Sequence, residues 1–128
     1  MKKILLIDDN EGLRQFISDF LRWRNFIVIE ARDGLEGWQL AISQKPDLIL
    51  SDIDMPRMDG YGLLEKLHQD MGMATTPIIL LSGIVTDESR DNALRLGAAD
   101  FLAKPFLPDE VLTIISNCLK SSNLLSNE

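Results

Sequence analysis

Short, unbroken apolar runs alternate with amphipathic stretches along the chain, and this alternation constrains the fold more than any other feature. The apolar runs are 4–7, 26–29, 48–50, 78–81 and, more weakly, 101–102. Polar residues do not occupy every second position within them, which is typical of parallel strands that are covered on both faces. The sequence therefore predicts five parallel strands.

The stretches between the runs have the apolar spacing of helices. The first stretch carries a single apolar stripe made of Leu13, Phe16, Ile17, Phe20 and Leu21. The second opens at Asp33 with Glu36 three residues later, which is a capping-box pattern. The third follows Asp59-Gly60, the fourth runs from 86 to 96, and the last begins at 108. These signals predict one helix after each strand.

Five strand–helix repeats in a chain of 128 residues predict a single α/β domain. We expect a doubly wound, five-stranded parallel sheet with five helices and the flavodoxin-like strand order 2-1-3-4-5, because right-handed crossovers leave few other topologies. The domain is predicted over residues 1–120, and residues 121–128 are predicted to form a polar C-terminal tail or the start of a linker.

Charge and cysteine content exclude several classes of function. The formal net charge of −7 argues against direct binding of nucleic acid, which needs basic residues opposite the phosphates. The single cysteine, Cys118, excludes an intramolecular disulfide and a cysteine-based zinc site. The N-terminal apolar run is too short for a signal peptide, and no apolar segment is long enough to span a bilayer. We therefore expect a cytoplasmic domain with no membrane partner.

Polar side chains follow four of the five predicted strands at the points where these strands end. Asp8 and Asp9 follow the first strand, Asp52 the third, Ser82 the fourth and Lys104 the fifth. Because ligands of doubly wound sheets bind beyond the carboxyl ends of the strands, we expect these side chains to share one crevice. Carboxylates packed together raise one another's pKa unless a cation neutralises them. Such oxygen ligands suit Mg²⁺, which keeps several waters and can accept a phosphate oxygen.

Each of these residues also has a purely structural explanation when it is taken alone. An aspartate after a strand often caps the next helix, although Asn10 is available for that purpose after Asp8 and Asp9. Ser82 could be a turn hydroxyl and Lys104 a solvated charge. Their common position at one end of several strands is what indicates a functional site.

The complete set of motifs resembles the receiver domain of two-component response regulators over about residues 2–120. The motifs, in chain order, are Asp8-Asp9, Asp52, Met55-Pro56, Asp59-Gly60, Ser82 and Lys104-Pro105. The resemblance implies that Asp52 takes a phosphoryl group from a histidine kinase or a histidine phosphotransfer protein. It also implies that Lys104 pairs with a phosphoryl oxygen, and that the Lys104–Pro105 peptide bond is a candidate for the cis form.

The resemblance further implies a Mg²⁺ site and a switch. Asp9 and Asp52 would bind Mg²⁺ directly, Asp8 would act through water, and the backbone carbonyl of Asp54 would supply another ligand. On phosphorylation the Ser82 hydroxyl would move towards the phosphoryl group, and the Phe101 ring would turn into the space that it leaves.

The segment that transmits this change is expected to be residues 86–119, the fourth helix, fifth strand and fifth helix, which we call the readout face. An output partner or output domain would bind there, and a dimer that forms on phosphorylation is left open. Three further positions are expected to modulate the phosphoryl pocket: Asp54, Gly83 and Ile84.

Three other classes of protein were weighed against this interpretation. A Mg²⁺-dependent phosphohydrolase of the haloacid-dehalogenase type also places Asp-x-Asp after an apolar strand, but it requires Thr or Val where this chain has Pro56. A pseudo-receiver would share the fold without phosphorylation, yet every acceptor, metal and lysine position is present. A dinucleotide-binding domain would need a Gly-x-Gly-x-x-Gly motif after the first strand, which the sequence lacks.

Overall fold

The computed structural model describes the backbone of residues 1–126 and the side chains of residues 1–120. Strands and helices alternate throughout, as the sequence predicts. The elements are β1 (Lys3–Ile7), α1 (Glu11–Trp23), β2 (Ile27–Ala31), α2 (Gly34–Gln44), β3 (Leu48–Asp52), α3 (Gly60–His68), β4 (Ile78–Ser82), α4 (Asp87–Arg95), β5 (Asp100–Ala103) and α5 (Pro108–Ser126).

The five strands form one parallel sheet in the order β2-β1-β3-β4-β5, so the predicted flavodoxin-like order is confirmed. The strand order reverses at β1, which lies between β2 and β3. In the register, Ile7 pairs with Ser51, Asp52 with Leu81, and Ser82 with Ala103. This register brings the carboxyl ends of β1, β3, β4 and β5 to the same edge of the sheet.

Two apolar cores cover the two faces of the sheet, which is why the strands contain no polar alternation. Leu5 and Ile7 of β1 belong to the core that includes Leu64 of α3. Ile4 and Leu6 belong to the opposite core, which includes residues of α1 and α5. Because successive side chains of a strand point to opposite faces, both sets of β1 residues are fully buried.

Helix caps fix where the chain leaves the carboxyl edge of the sheet. The Asn10 side chain accepts a hydrogen bond from the backbone N–H of Leu13, so Asn10 caps α1 and leaves Asp8 and Asp9 available. Asp33 caps α2 by accepting from the N–H of Glu36, as predicted. The Glu36 side chain accepts from the N–H of Arg32, one residue before the position that the capping-box pattern predicts.

The last helix begins at Pro108, as the sequence predicts. The backbone of α5 is helical through Ser126, beyond the domain boundary predicted at residue 120. Residues 127–128 lie outside the described residues, and the assignment of 121–128 as a tail or linker stays a prediction. Within residues 1–126, no helix is both long and apolar enough to cross a membrane.

Candidate functional site

Three carboxylates meet at the carboxyl edge of the sheet. Asp8, Asp9 and Asp52 each offer an oxygen, and these oxygens all lie within 4.8 Å of one another. Asp8 and Asp52 are buried, with 0% and 7% of their surface exposed, whereas Asp9 is exposed. Two of the three clustered carboxylates are therefore buried, and one faces solvent.

Hydrogen bonds hold both the backbone and the fully buried carboxylate of Asp8. Its backbone N–H donates to the carbonyl of Ala31 at 3.1 Å. Its Oδ1 accepts from the backbone N–H of Asn10 at 2.9 Å, and its Oδ2 accepts from Nζ of Lys104 at 2.9 Å. A buried carboxylate is tolerated only when it is paired in this way. The orientation of Asp8 is consequently fixed before any ligand arrives.

Lys104 joins the two buried carboxylates. Its Nζ lies 2.9 Å from Oδ2 of Asp8 and 3.3 Å from Oδ1 of Asp52. Its backbone N–H donates to the carbonyl of Ser82 at 2.7 Å, which ties the end of β5 to the end of β4. The Lys104–Pro105 peptide bond is cis, as the resemblance implies. The structure thus places the predicted lysine directly at the predicted acidic cluster.

The electrostatics of the cluster follow from burial and from these close charges. Burial raises the pKa of Asp52, the Lys104 ammonium offsets part of this effect, and the charges of Asp8 and Asp9 raise the pKa further. Burial alone would lower the pKa of Lys104, but the carboxylates of Asp8 and Asp52 outweigh it and raise that pKa. Lys104 therefore stays an ammonium, and the cluster carries more negative than positive charge.

The donor set fits a hard divalent cation. All three clustered groups are carboxylates, and Mg²⁺ prefers oxygen ligands. An exposed Asp9 leaves the cluster open to solvent, which suits an ion that keeps several of its waters. Asp54 is exposed on the loop after β3, and the use of its carbonyl as a ligand stays a prediction.

Ser82 is buried at the end of β4, and its hydroxyl is engaged within its own turn. The hydroxyl donates to the carbonyl of Ile84 at 2.9 Å and accepts from the N–H of Ile84 at 3.1 Å. A Cβ added to Gly83 would meet no atom within 4 Å, and the effect of this position on the phosphoryl pocket stays a prediction. Ile84 is largely exposed beside it.

The Phe101 ring is already inside the protein, with 1% of its surface exposed. The guanidinium of Arg90 on α4 lies over the ring, 5.9 Å from its centroid. The resemblance implies that the ring turns inward on phosphorylation. In this structure the ring is already buried. Its part in a switch stays a prediction.

Two ion pairs were not predicted from the sequence. Arg57, on the loop after β3, donates from Nε and Nη2 to Oδ2 of Asp33 at 3.0 and 2.8 Å. No local pattern connects these residues, which are 24 positions apart. Arg14 of α1 contacts Asp8 and Glu30, and here a signal exists. Arg14 lies on the face of α1 that contains the buried Ile17, so it is a charged residue at a position facing the sheet.

The fold and the acidic site together define a class of protein. The family described as the response regulator receiver domain matches residues 4–116, and the chain belongs to that family. This match supports the receiver interpretation and not the phosphohydrolase that was weighed against it.

Individual relatives and solved structures agree with the family. Response regulator Rre1 of Synechocystis sp. (strain ATCC 27184 / PCC 6803 / Kazusa) is 36% identical over 117 residues, which cover 91% of this chain and 51% of that protein. The probable transcriptional regulator ycf29 of Porphyra purpurea is 37% identical over 123 residues, 96% of this chain and 59% of that protein. The chain therefore spans about half the length of the curated relatives that it matches.

The solved structures match over nearly their whole length. The chemotaxis protein CheY4 of Vibrio cholerae, crystallized at low pH, superposes with a TM-score of 0.88 at 31% identity, covering 93% of this chain and 99% of that one. The receiver domain of the Francisella response regulator 1452 superposes with a TM-score of 0.89 at 31% identity, covering 95% and 99%. The chain is thus a receiver domain of two-component signal transduction.

Proposed function

We propose that Asp52 is the phosphoacceptor of this receiver and that the acidic cluster binds Mg²⁺ for the transfer. The observation that carries the proposal is the contact of one ammonium, Lys104, with both Asp52 and Asp8 beside the exposed Asp9. This arrangement supplies a nucleophile, a positive charge and a set of oxygen ligands at the edge of the sheet where ligands bind.

The protein contributes little covalent chemistry to the phosphoryl transfer. A carboxylate oxygen of Asp52 forms a bond to phosphorus while the bond from phosphorus to the donor's imidazole nitrogen breaks, and the product is an aspartyl phosphate. Positioning and charge neutralisation are the main contributions of a protein to such a step. Lys104 lies 3.3 Å from Oδ1 of Asp52, close enough to pair with a phosphoryl oxygen as a point charge.

Asp9 and Asp52 are proposed to hold Mg²⁺ directly, with Asp8 acting through water and the carbonyl of Asp54 completing the protein ligands. The bound ion would supply neutralisation of the negative charge that the phosphoryl group brings to this cluster. Full burial of the Asp8 carboxylate, whose Oδ2 already pairs with Lys104, supports its indirect role. The exposure of Asp9 supports its role as the ligand that faces the incoming ion.

The response to phosphorylation is proposed to pass from Ser82 to the readout face. To reach a phosphoryl oxygen, the Ser82 hydroxyl must give up its two hydrogen bonds with Ile84, which lies just before α4. Phe101 and Arg90 would then repack together, because the guanidinium of Arg90 lies over the Phe101 ring, 5.9 Å from its centroid. A ligand or charge shifts such an equilibrium only through its different interaction with the two states.

The donor is proposed to be a histidine kinase or a histidine phosphotransfer protein, and the cytoplasm is the proposed location. The output is a partner or domain that binds the readout face. Relatives carry names as different as a transcriptional regulator of Porphyra purpurea and the hybrid signal transduction histidine kinase D of Dictyostelium discoideum. We propose no direct contact of residues 1–120 with nucleic acid, in keeping with the net charge of −7.

The experiment is phosphorylation of the purified chain with acetyl phosphate or carbamoyl phosphate and Mg²⁺, followed by intact mass measurement. We expect the wild type to gain one phosphoryl group and Asp52→Asn to gain none. Asp54→Asn is the matched control, because it removes an exposed carboxylate two residues away, and it should still be labelled. Undiminished labelling of Asp52→Asn would contradict the assignment, and a wild type that is never labelled would favour a pseudo-receiver.

A further inference from the structure

A line of polar contacts connects the edge strand β2 to the acidic cluster through Arg14. From the first turns of α1, Arg14 donates from Nη1 to the backbone carbonyl of Asp8 at 2.8 Å. It also donates from Nε to Oε1 of Glu30, on β2, at 3.2 Å. Only 11% of the Arg14 side chain is exposed. The guanidinium is therefore enclosed between α1, the end of β1 and β2.

Glu30 is held as firmly as the arginine that it contacts. Its Oε2 accepts from the hydroxyl of the fully buried Ser18 at 3.2 Å and from Nη2 of Arg22 at 3.3 Å. A guanidinium is a rigid fork of donors, so a fixed carboxylate on one side determines where its other donors point. Glu30 therefore aims Nη1 of Arg14 at Asp8.

The atom that Arg14 binds determines the direction of two acidic side chains. Asp8 is the residue after the last position of β1, and its carbonyl belongs to the peptide plane that joins it to Asp9. This plane is rigid, so the hydrogen bond that orients the carbonyl also orients the bond leading to Asp9. The N–H of Asp8 is fixed separately by the carbonyl of Ala31. Arg14 thus acts on the part of the backbone from which both carboxylates project.

We propose that Arg14, oriented by Glu30, is a positioning residue for the divalent cation site formed by Asp8, Asp9 and Asp52. This inference rests on the Mg²⁺ binding proposed above. Partners that orient metal ligands from outside the coordination sphere commonly contribute about 10- to 100-fold to metal affinity. Arg14 touches neither the ion nor a carboxylate of the cluster, and its effect is transmitted through the Asp8–Asp9 peptide.

Simple electrostatics predicts the opposite effect of removing this arginine. Arg14→Met deletes a positive charge near a cation site, and repulsion alone would make Mg²⁺ bind more tightly to the variant. Positioning predicts weaker binding, because the Asp8–Asp9 peptide loses its anchor. The sign of the change in affinity therefore distinguishes the two effects.

The test is calorimetric titration of the purified chain with Mg²⁺ alone. We expect Arg14→Met to weaken Mg²⁺ binding by about tenfold. Arg24→Met is the matched control, because it makes the same change of charge on the same segment, while its guanidinium lies over the Phe20 ring and forms no hydrogen bond with Glu30 or Asp8. It should bind Mg²⁺ like the wild type. Urea unfolding of each variant establishes that the protein titrated is folded.

Arg14→Met leaves Oε1 of Glu30 without its hydrogen-bond donor, which destabilises the folded state. A second variant therefore separates the loss of metal affinity from a loss of stability. Arg14→Met/Glu30→Gln removes that charge as well and should show the same weakening. Wild-type or tighter Mg²⁺ binding by both variants would overturn the inference alone. A wild type that does not bind Mg²⁺ would overturn the proposed function together with it, so the two failures are distinguishable.

Discussion

Lys104 is the residue at which the site and the readout face meet, because it follows β5 and contacts both buried carboxylates. We expect Lys104→Ala to keep the fold but largely to uncouple phosphorylation from the change at residues 86–119. The reason is that the variant lacks the ammonium that would pair with the phosphoryl group from the end of β5. The measurement is the change in amide chemical shifts over residues 86–119 after reaction with acetyl phosphate and Mg²⁺.

Lys2→Ala is the control for this comparison, because Lys2 is exposed just before the start of β1, whereas the acidic cluster lies at the other end of that strand. It should respond like the wild type. If labelled Lys104→Ala shows shifts over the readout face as large as those of the wild type, the role proposed for Lys104 is wrong.

The residues of the candidate site could be predicted from the sequence, but the conformations of their side chains could not. Asp8, Asp9, Asp52 and Lys104 could be predicted to meet because each lies at or just after the carboxyl end of a strand of one parallel sheet. The buried position of the Phe101 ring could not, because a rotamer is decided by packing against residues remote in sequence.

The hydrogen bonds and ion pairs of individual side chains are even harder to predict from the sequence. The direction of the Ser82 hydroxyl depends on the turn that follows β4, and it points to Ile84. The pair of Asp33 and Arg57 joins two loops, and nothing in either loop indicates the other. The sequence signal for Arg14 is its position as a charged residue on the buried face of a helix.

Among the elements, α3 begins so close to β3 that only glycine fits at its first position. A Cβ on Gly60 would lie 2.6 Å from the carbonyl oxygen of Asp52 and 2.9 Å from Cα of Ile53. We expect Gly60→Ala to lower the free energy of unfolding by about 1–3 kcal/mol, because the backbone must shift to admit the methyl group. Urea unfolding, followed by circular dichroism, measures this difference.

Gly12→Ala is the matched control within another helix. A Cβ there would meet only the Asn10 side chain, at 3.6 Å, which is an ordinary contact. Alanine favours a helix over glycine by up to about 1 kcal/mol, so this variant should be as stable as the wild type or slightly more stable. Equal stabilities of Gly60→Ala and the wild type would show that the approach of α3 to β3 is not tight.

The elements themselves were predictable to different degrees. Helix α1 has a clear apolar stripe, and its predicted position is confirmed. Helix α4 is mostly polar, and Ala93 is its only residue described as buried, so its apolar stripe is much weaker than that of α1. The start of α5 at Pro108 was predictable, because proline suits the first position of a helix and acidic residues follow it in the first turn.

Because of the acidic cluster, we expect the free energy of unfolding of the whole molecule to depend on the concentration of divalent cation. The chain has a net charge of −7, and part of it is concentrated where Asp8, Asp9 and Asp52 meet. An ion that binds only the folded state stabilises it, by about 1.4 kcal/mol when its concentration is ten times the Kd. We therefore expect Mg²⁺ to raise the free energy of unfolding of the wild type and to have little effect on Asp9→Asn.

Sodium chloride at the same ionic strength is the control for general screening of charge. It should not reproduce the effect of Mg²⁺ on the wild type. An equal gain in stability from Mg²⁺ in the wild type and in Asp9→Asn would contradict a specific site at Asp9.

The topology of the whole molecule could be predicted because it depends on few local choices. Continuous apolar runs imply buried parallel strands, and right-handed crossovers then restrict their order, which the structure confirms as 2-1-3-4-5. The output that the readout face controls could not be predicted, because it depends on the chemistry of another surface. The chain spans about half the length of the curated relatives that it matches.

The measurement that tests the central claim most directly is the location of the phosphoryl group within the chain. After reaction with acetyl phosphate and Mg²⁺, borohydride reduces an aspartyl phosphate to homoserine, which peptide mass spectrometry locates. The account predicts homoserine at position 52 and at no other aspartate. Homoserine at Asp8, Asp9 or Asp54, or at no position in a protein that has gained a phosphoryl group, would contradict it.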